Sequence, residues 1–333
     1  MLLGVAAGRD VLFVGGKGGV GKTAVASAVG LASARTGRRT LVVSTDPAHN
    51  LGHLWQRRIG DQPVELAPLL RGLEIDPART TEEHLAAVRK TMQRLMPEHL
   101  TGEISKHLDL AREAPGTHEA AVLERVAEVL EQRHEDELVV FDTAPSGHTS
   151  RLVALPELMQ AWTEGLLRRQ DRSQRFGAAL RGLGGDDLAA ADLIGTGRGP
   201  AHNAPDRRAR RDREIRDVLD RRQRRFAGLR ETLQDQHRTG FVIVLAAERL
   251  PVLETIELHQ QLQLAGMAVS VLVVNKRSPA DGGPLLAARR VQEERRLADL
   301  HDALGDLPTL EVPLLPTDVL GEEGLAAFAD HLA

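Results

Sequence analysis

The stretch Gly15-Gly16-Lys17-Gly18-Gly19-Val20-Gly21-Lys22-Thr23 satisfies the pattern GxxxxGK[ST] counted from Gly16. Glycines let successive backbone N–H groups curl around phosphate oxygens, and Lys22 is placed to extend to the β and γ oxygens. Thr23 offers a hydroxyl to Mg²⁺, and the helix that begins there and runs on through Ala24 points its positive end at the anion. The context agrees: the apolar run Val11–Val14 precedes the loop and an alanine-rich helical stretch follows it. The expected nucleotide contacts are Gly16, Gly18, Gly19, Val20, Gly21, Lys22, Thr23 and Ala24, with Lys17 too far back to hold the phosphates of its own loop, and the expected ligand is a nucleoside triphosphate with Mg²⁺.

Working outward, short apolar runs alternate with longer helical patterns, as in βαβ units around a parallel sheet. The predicted strands are Val11–Val14, Thr40–Ser44, Leu138–Phe141, Phe241–Leu245 and Val269–Val274, with a weaker one near Thr309–Val312. All are nearly continuous in apolar character, as strands buried on both faces should be. Leu85, Val88, Met92 and Leu95 recur at helical spacing within Glu82–Met96, a pattern that continues through Leu100, Ile104 and Leu108 and again in Ala120–Leu130. These features predict an α/β fold of the P-loop NTPase type, a mostly parallel doubly wound sheet flanked by helices. The chain reads as one domain over 1–333, with helical insertions at about 76–135 and about 155–238. Residues 183–205, rich in Gly, Asp and Ala, read as mobile.

Composition narrows the chemistry. Among 333 residues there are 38 arginines, five lysines and no cysteine, and the formal net charge is −4. Without cysteine there is no disulfide, thiolate metal site or cysteine nucleophile. The near-neutral balance gives no global field toward nucleic acid or membrane. Eleven arginines against five acids crowd Asp206–Arg230. There Ile215, Leu219, Phe226, Leu229 and Leu233 share one helical face, so a solvated amphipathic helix is expected and nucleic-acid binding is not. His49 and His53 stand four apart without a carboxylate at ligand spacing, so no metal beyond Mg²⁺ is expected. The Met1–Ala7 run lacks a basic leader, and no run of 18 apolar residues free of charge occurs to span a membrane.

Two aspartates complete the candidate site. Asp46 follows the second strand in Ser44-Thr45-Asp46-Pro47-Ala48-His49-Asn50-Leu51, where a carboxylate can orient the attacking water. Asp142 ends the strand Leu138–Phe141 and opens Asp142-Thr143-Ala144-Pro145-Ser146-Gly147-His148-Thr149-Ser150-Arg151-Leu152, a Walker B arrangement. Thr23, Asp46 and Asp142 are thus the candidate Mg²⁺ residues, directly or through water. Gly147 allows a backbone N–H to approach the γ-phosphate.

Lys17 turns the loop into the form KGGVGK[ST], which resembles the deviant Walker A signature shared by MinD and ParA proteins, nitrogenase iron protein and the ArsA family. STDPAHNL and DTAPSGHTSRL resemble the two switches of the ArsA family in particular, and ParA and MinD proteins carry a different first switch. That family includes arsenite-pump ATPases and the eukaryotic ATPase that delivers tail-anchored membrane proteins. The similarity extends to Val273-Val274-Asn275-Lys276 and to Val312-Pro313-Leu314-Leu315-Pro316. It is good over roughly 11–60, 138–160 and 240–333 and poor in the helical stretches.

The resemblance implies ATP hydrolysis in a homodimer, with Lys17 and Lys22 on the nucleotides and Lys17 reaching across to the partner's. It further implies that Asp46 positions water, Asn50 senses the γ-phosphate, and Asn275 and Pro313 meet adenine. Glu248 and Glu254 match acidic positions that face the dimer interface. The partner implied is a membrane pump subunit or a hydrophobic client protein, and the place is the cytoplasm, at the membrane only through that partner.

The missing cysteines remove the family's arsenite site and its zinc staple, since Arg277–Arg296 holds no CxxC. A client groove would draw on Met92, Leu95, Met96, Leu100, Leu155, Met159 and Trp162, a stripe that equally suits a core. Two other readings stand beside the ATPase motor. One is a nucleotide-gated binding module with incidental turnover; the other is a ParA- or MinD-like positioning ATPase, which the switches and the non-basic C-terminal Gly321–Ala333 segment disfavour.

Overall fold

The computed structural model describes residues 1–46, 48, 50–95, 112, 117–143 and 204–333, some side chains over 77–95 and 204–222 excepted. Eight strands form one sheet in the order β3-β4-β2-β5-β1-β6-β7-β8. They are β1 (Val11–Gly15), β2 (Thr40–Ser44), β3 (Val64–Ala67), β4 (Leu70–Glu74), β5 (Leu138–Asp142), β6 (Thr239–Ala246), β7 (Val269–Arg277) and β8 (Thr309–Pro313). Every pairing is parallel except β3 with β4. This is the mostly parallel α/β architecture of a P-loop NTPase.

The β3–β4 hairpin is an addition to the predicted strands. Its strands are short and carry Glu65, Arg71 and Glu74, so no apolar run announces them. Leu69, with φ of 65°, makes the turn in the left-handed region that β-branched or bulky residues rarely enter. The hairpin closes one edge of the sheet with β3 outermost, and β4 contributes Leu70 to one core and Leu73 to the other.

Side-chain alternation along the central strands feeds two cores. Leu12, Val14, Val42, Val140, Val242 and Val244 face one side, packed with α1 (Leu2–Ala7), α2 (Lys22–Arg35), α3 (Asn50–Trp55) and the C-terminal α9 (Gly321–Ala329). Val11, Phe13, Val43, Phe141, Phe241 and Ile243 face the other. That side is covered by α5 (Thr117–Glu131), α6 (Ala204–Gln234), α7 (Arg249–Leu264) and α8 (Pro284–Leu304). On three adjacent strands Phe13 stacks between Phe141 and Phe241, at centroid distances of 4.7 and 5.0 Å. Offset stacks of this kind add to the burial they sit in.

Helix α4 (Pro77–Leu95) and helix α5 lie between β4 and β5, and α6 lies between β5 and β6. Phe226, Leu229 and Leu233 of α6 are buried, as the amphipathic pattern requires, and its Arg225 pairs with Glu128 and Glu131 of α5 at 2.9 and 3.0 Å. Ala204 and Pro205 belong to α6; residues 183–203, Met96, Leu100, Leu155, Met159 and Trp162, and the side chains of Met92 and Leu95, lie outside the described set. No helix among the described residues is long and apolar enough to cross a membrane.

Candidate nucleotide site

The site arises from the strand order. β5 sits between β1 and β2, with Asp142 in register beside Val14 on one side and Ser44 on the other. The carboxyl ends of β1, β2 and β5 therefore bring the loop 16–21, Ser44 to Asp46, and Asp142 to one edge, the place where open α/β sheets bind ligands.

The loop's shape depends on two glycines. Gly16 has φ of 137°, and a Cβ there would drive into the Val244 backbone carbonyl of β6. Gly21 has φ of 96°, and a Cβ there would collide with the Asn275 amide. Helix α2 starts at the next residue with no side-chain cap and no acid in its first turn. An uncapped, unopposed helix N-terminus is suited to an anion.

Lys22 is 5% exposed and its Nζ donates to the Lys17 carbonyl at 3.0 Å. Burial lowers its pKa, while Asp142 and then Asp46 act to raise it. Asp142 is fully buried, and its Oδ2 accepts from Thr23 Oγ1 at 2.7 Å and from Ser44 Oγ at 3.3 Å. Desolvation pushes the Asp142 carboxyl up to about 6, against the Thr23 hydrogen bond and the charge of Lys22. Among the described residues Asp142 Oδ1 has no hydrogen-bond partner. A buried carboxylate oxygen without a partner, beside two hydroxyls, is a donor set for a hard cation with oxygen ligands, and the residues fit Mg²⁺.

Asp46 lies just beyond. Its own N–H donates to Ser44 Oγ at 3.3 Å, its Oδ1 accepts from Ala48 N–H at 3.0 Å, and its Oδ2 accepts from Asn50 Nδ2 at 3.1 Å. The two residues expected to serve water and γ-phosphate are thus joined to each other. Lys17 Nζ pairs with Glu254 of α7 in the same chain at 3.1 Å. Glu248 pairs with Arg289 at 2.7 Å.

Asn275, 5% exposed at the end of β7, donates its amide to the Val20 carbonyl at 2.9 Å. As placed, it braces the loop 16–21 from β7. Pro313 ends the neighbouring strand β8. Gly147 lies outside the described residues.

Three participants escaped the sequence reading. Ser44 is the small polar residue at a strand end that becomes a partner of Asp142 only through strand pairing. Lys276 donates Nζ to the Gly19 carbonyl at 2.9 Å. Arg277, 2% exposed, is held by Glu293, Glu294 and Glu311 at 2.7, 2.6 and 2.7 Å. Scarce lysine could have flagged Lys276; nothing local distinguishes Arg277 from the other arginines.

A glycine loop at a helix N-terminus, a buried lysine beneath it and two strand-end aspartates define an ATPase of the P-loop class. The family model of the anion-transporting ATPases matches residues 9–195 and 199–333, and the chain belongs to that family. It is 28% identical over 324 residues to "ATPase ASNA1 homolog 1" of Paramecium tetraurelia, covering 96% of this chain and 91% of that one. It is 30% identical over 328 residues to "ATPase GET3" of Podospora anserina, covering 96% and 89%. It is 30% identical over 330 residues to the "Arsenical pump-driving ATPase" of Escherichia coli, covering 97% of this chain but 49% of that protein.

Proposed function

We propose that the chain acts as a nucleotide-gated homodimer, each copy a single ATPase domain over 1–333 with helical insertions at about 76–135 and about 155–238. The two copies close when both hold ATP and Mg²⁺ and open after hydrolysis, and that cycle drives a partner transporter or the targeting of a client protein. The observation that carries this is the meeting of Lys22, Thr23, Asp46 and Asp142 at one sheet edge beside the glycine loop.

Phosphoryl transfer to water asks a protein for positioning and charge stabilisation more than covalent chemistry. The loop amides from Gly16 to Gly21 and the first turn of α2, Thr23 and Ala24 included, bind phosphate oxygens, and buried Lys22 neutralises charge that develops on them. Thr23, Asp46 and Asp142 would hold Mg²⁺, directly or through water, and the ion would supply positive charge for the phosphate oxygens. Asp46 holds the attacking water, oriented by Asn50, which also reports the γ-phosphate. Gly147 supplies a further N–H to it. Asn275 and Pro313 meet the adenine.

Lys17 supports the dimer. Its bond to Glu254 joins two side chains each 36% exposed, so it can leave for the partner copy's nucleotide at small cost. With no cysteine, the partner is not recognised through a metalloid or zinc thiolate site. The chain works in the cytoplasm and meets the membrane only through its partner.

Light scattering on the Asp46→Asn chain tests the cycle, because a variant that binds ATP without hydrolysing it should accumulate the closed dimer. Expected is a monomer or open dimer without nucleotide and a stable dimer with Mg-ATP, lost again in Lys17→Ala. A mass and a hydrodynamic radius both unchanged by Mg-ATP in a variant that binds it overturn the gated dimer.

A further inference from the structure

The end of β7 departs from regular pairing where it passes the phosphate loop. Val274 stands opposite Glu311 and Arg277 opposite Pro313, so Asn275 and Lys276 together face the single residue Val312. This is a bulge, a device that re-aims side chains beside functional sites. Lys276 carries φ of 59°, a left-handed conformation unusual for lysine. Its N–H donates to Asn275 Oδ1 at 2.9 Å, and the next residue is pinned by the three carboxylates around Arg277. Leu314 N–H donates to the Arg277 carbonyl at 2.9 Å, fixing the bulge from the β8 side.

The bulge aims two consecutive side chains at two consecutive carbonyls. Lys276 Nζ reaches the carbonyl of Gly19 and Asn275 Nδ2 that of Val20, both at 2.9 Å. All peptide bonds described are trans, and in a planar trans peptide the carbonyl and the following N–H point in opposite directions. Holding the Gly19 and Val20 carbonyls toward β7 therefore turns the N–H groups of Val20 and Gly21 away from it. Those N–H groups belong to the loop that wraps phosphate, and the glycines around them impose little preference of their own.

We infer that Lys276 is a positioning residue for phosphate recognition: from outside the loop its ammonium holds the Gly19 carbonyl, and so presets the donors that a nucleoside di- or triphosphate meets. The cost of its left-handed backbone is borne by the bulge, the Asn275 side chain and the Arg277 carboxylate cluster. The assignment rests on the reading that the loop holds nucleotide phosphates.

Calorimetric titration of the full chain with Mg-ADP, alongside thermal unfolding without nucleotide, tests it on Lys276→Gly, Lys276→Met and Lys276→Arg. Glycine accepts the left-handed backbone without strain, so Lys276→Gly removes the ammonium and keeps the fold. Expected is about tenfold weaker Mg-ADP binding in the glycine and methionine variants, the loss of one charge-assisted hydrogen bond. Lys276→Arg should stay within about threefold of the wild type, and Lys276→Gly should unfold within about 2 °C of it.

Unchanged affinity in the glycine and methionine variants overturns the brace, as does a loss matched by a fall in unfolding temperature in both. A deficit that vanishes in about 0.5 M salt also overturns it, because that is mere through-space attraction. Lys22→Ala separates the two levels. If it binds Mg-ADP as tightly as the wild type, the phosphate-loop reading itself has failed; if it loses binding while the Lys276 variants do not, only the brace has failed.

Discussion

Thr23 Oγ1 and Asp142 Oδ2, 119 residues apart in the chain, lie 2.7 Å apart and join the start of α2 to the end of β5. The carboxylate so joined is fully buried, with a pKa raised from 3.8 to about 6 by desolvation. That rise corresponds to roughly 3 kcal/mol of folding free energy lost when the group is ionised. Folded Asp142 binds its proton more tightly than unfolded Asp142. The cost is therefore full above about pH 6, shrinks as pH falls toward 3.8, and is absent below it. Asp142→Asn should accordingly stabilise the nucleotide-free protein at pH 8 by a few kcal/mol in urea titration, with the gain fading toward pH 4. The same variant should lose the extra stabilisation that Mg²⁺ confers on the ADP complex of the wild type.

Gly16 and Gly4 should respond oppositely to alanine. At Gly16 the φ of 137° and the Val244 carbonyl both exclude a Cβ, so Gly16→Ala should destabilise the fold by about 3 kcal/mol or more. Gly4 sits in α1 with open space where its Cβ would stand, and Gly4→Ala should stabilise by about 0.5–1 kcal/mol. Chemical denaturation of the two variants beside the wild type checks both signs.

Ion pairs in this protein differ by burial. Lys17 and Glu254 are each 36% exposed, so Glu254→Gln should shift stability by less than about 1 kcal/mol. Arg277 is 2% exposed, and Arg277→Met would leave buried Glu293 without its main cation, at a cost of about 3–5 kcal/mol. Unfolding midpoints for the two variants would rank them; similar values would mean that the Arg277 cluster is hydrated in solution.

Asp46 accepts hydrogen bonds from Ala48 and Asn50 but sits outside the buried Thr23–Asp142 pair. Asp46→Asn should therefore keep Mg-ADP affinity within about threefold while lowering kcat by about 10²-fold or more, the size of a lost water-orienting base. Steady-state phosphate release and nucleotide titration on the same preparation separate the two quantities.

Much of this architecture is legible in the chain. Five strands are apolar runs because both their faces are buried, the edge strand β8 is a weaker one with Glu311 exposed, and the loop at Gly16 is read from spacing alone. The β3–β4 hairpin is hidden because Glu65, Arg71, Gly72 and Glu74 interrupt its apolar residues, so neither strand reads as an apolar run, although β4 is buried on both faces. Arg277 is hidden for a different reason: its three carboxylates come from α8 and β8, so no window of sequence contains the cluster. Asn275 is legible as a polar residue ending an apolar strand, yet its bond to the Val20 carbonyl, 255 positions away, is a matter of packing.

The sequence by itself determined the class of chemistry. A nine-residue loop and two aspartates after strands point to an ATPase, and the absence of cysteine excludes thiolate sites, because those properties belong to residue types and short spacings. Only the tertiary structure decided that Asp142 is buried between Thr23 and Ser44 and that its pKa is raised. It alone decided that a bulge in β7 turns Lys276 onto the loop. Strand order and register create those contacts, and desolvation and hydrogen-bond direction are properties of what surrounds a group in space.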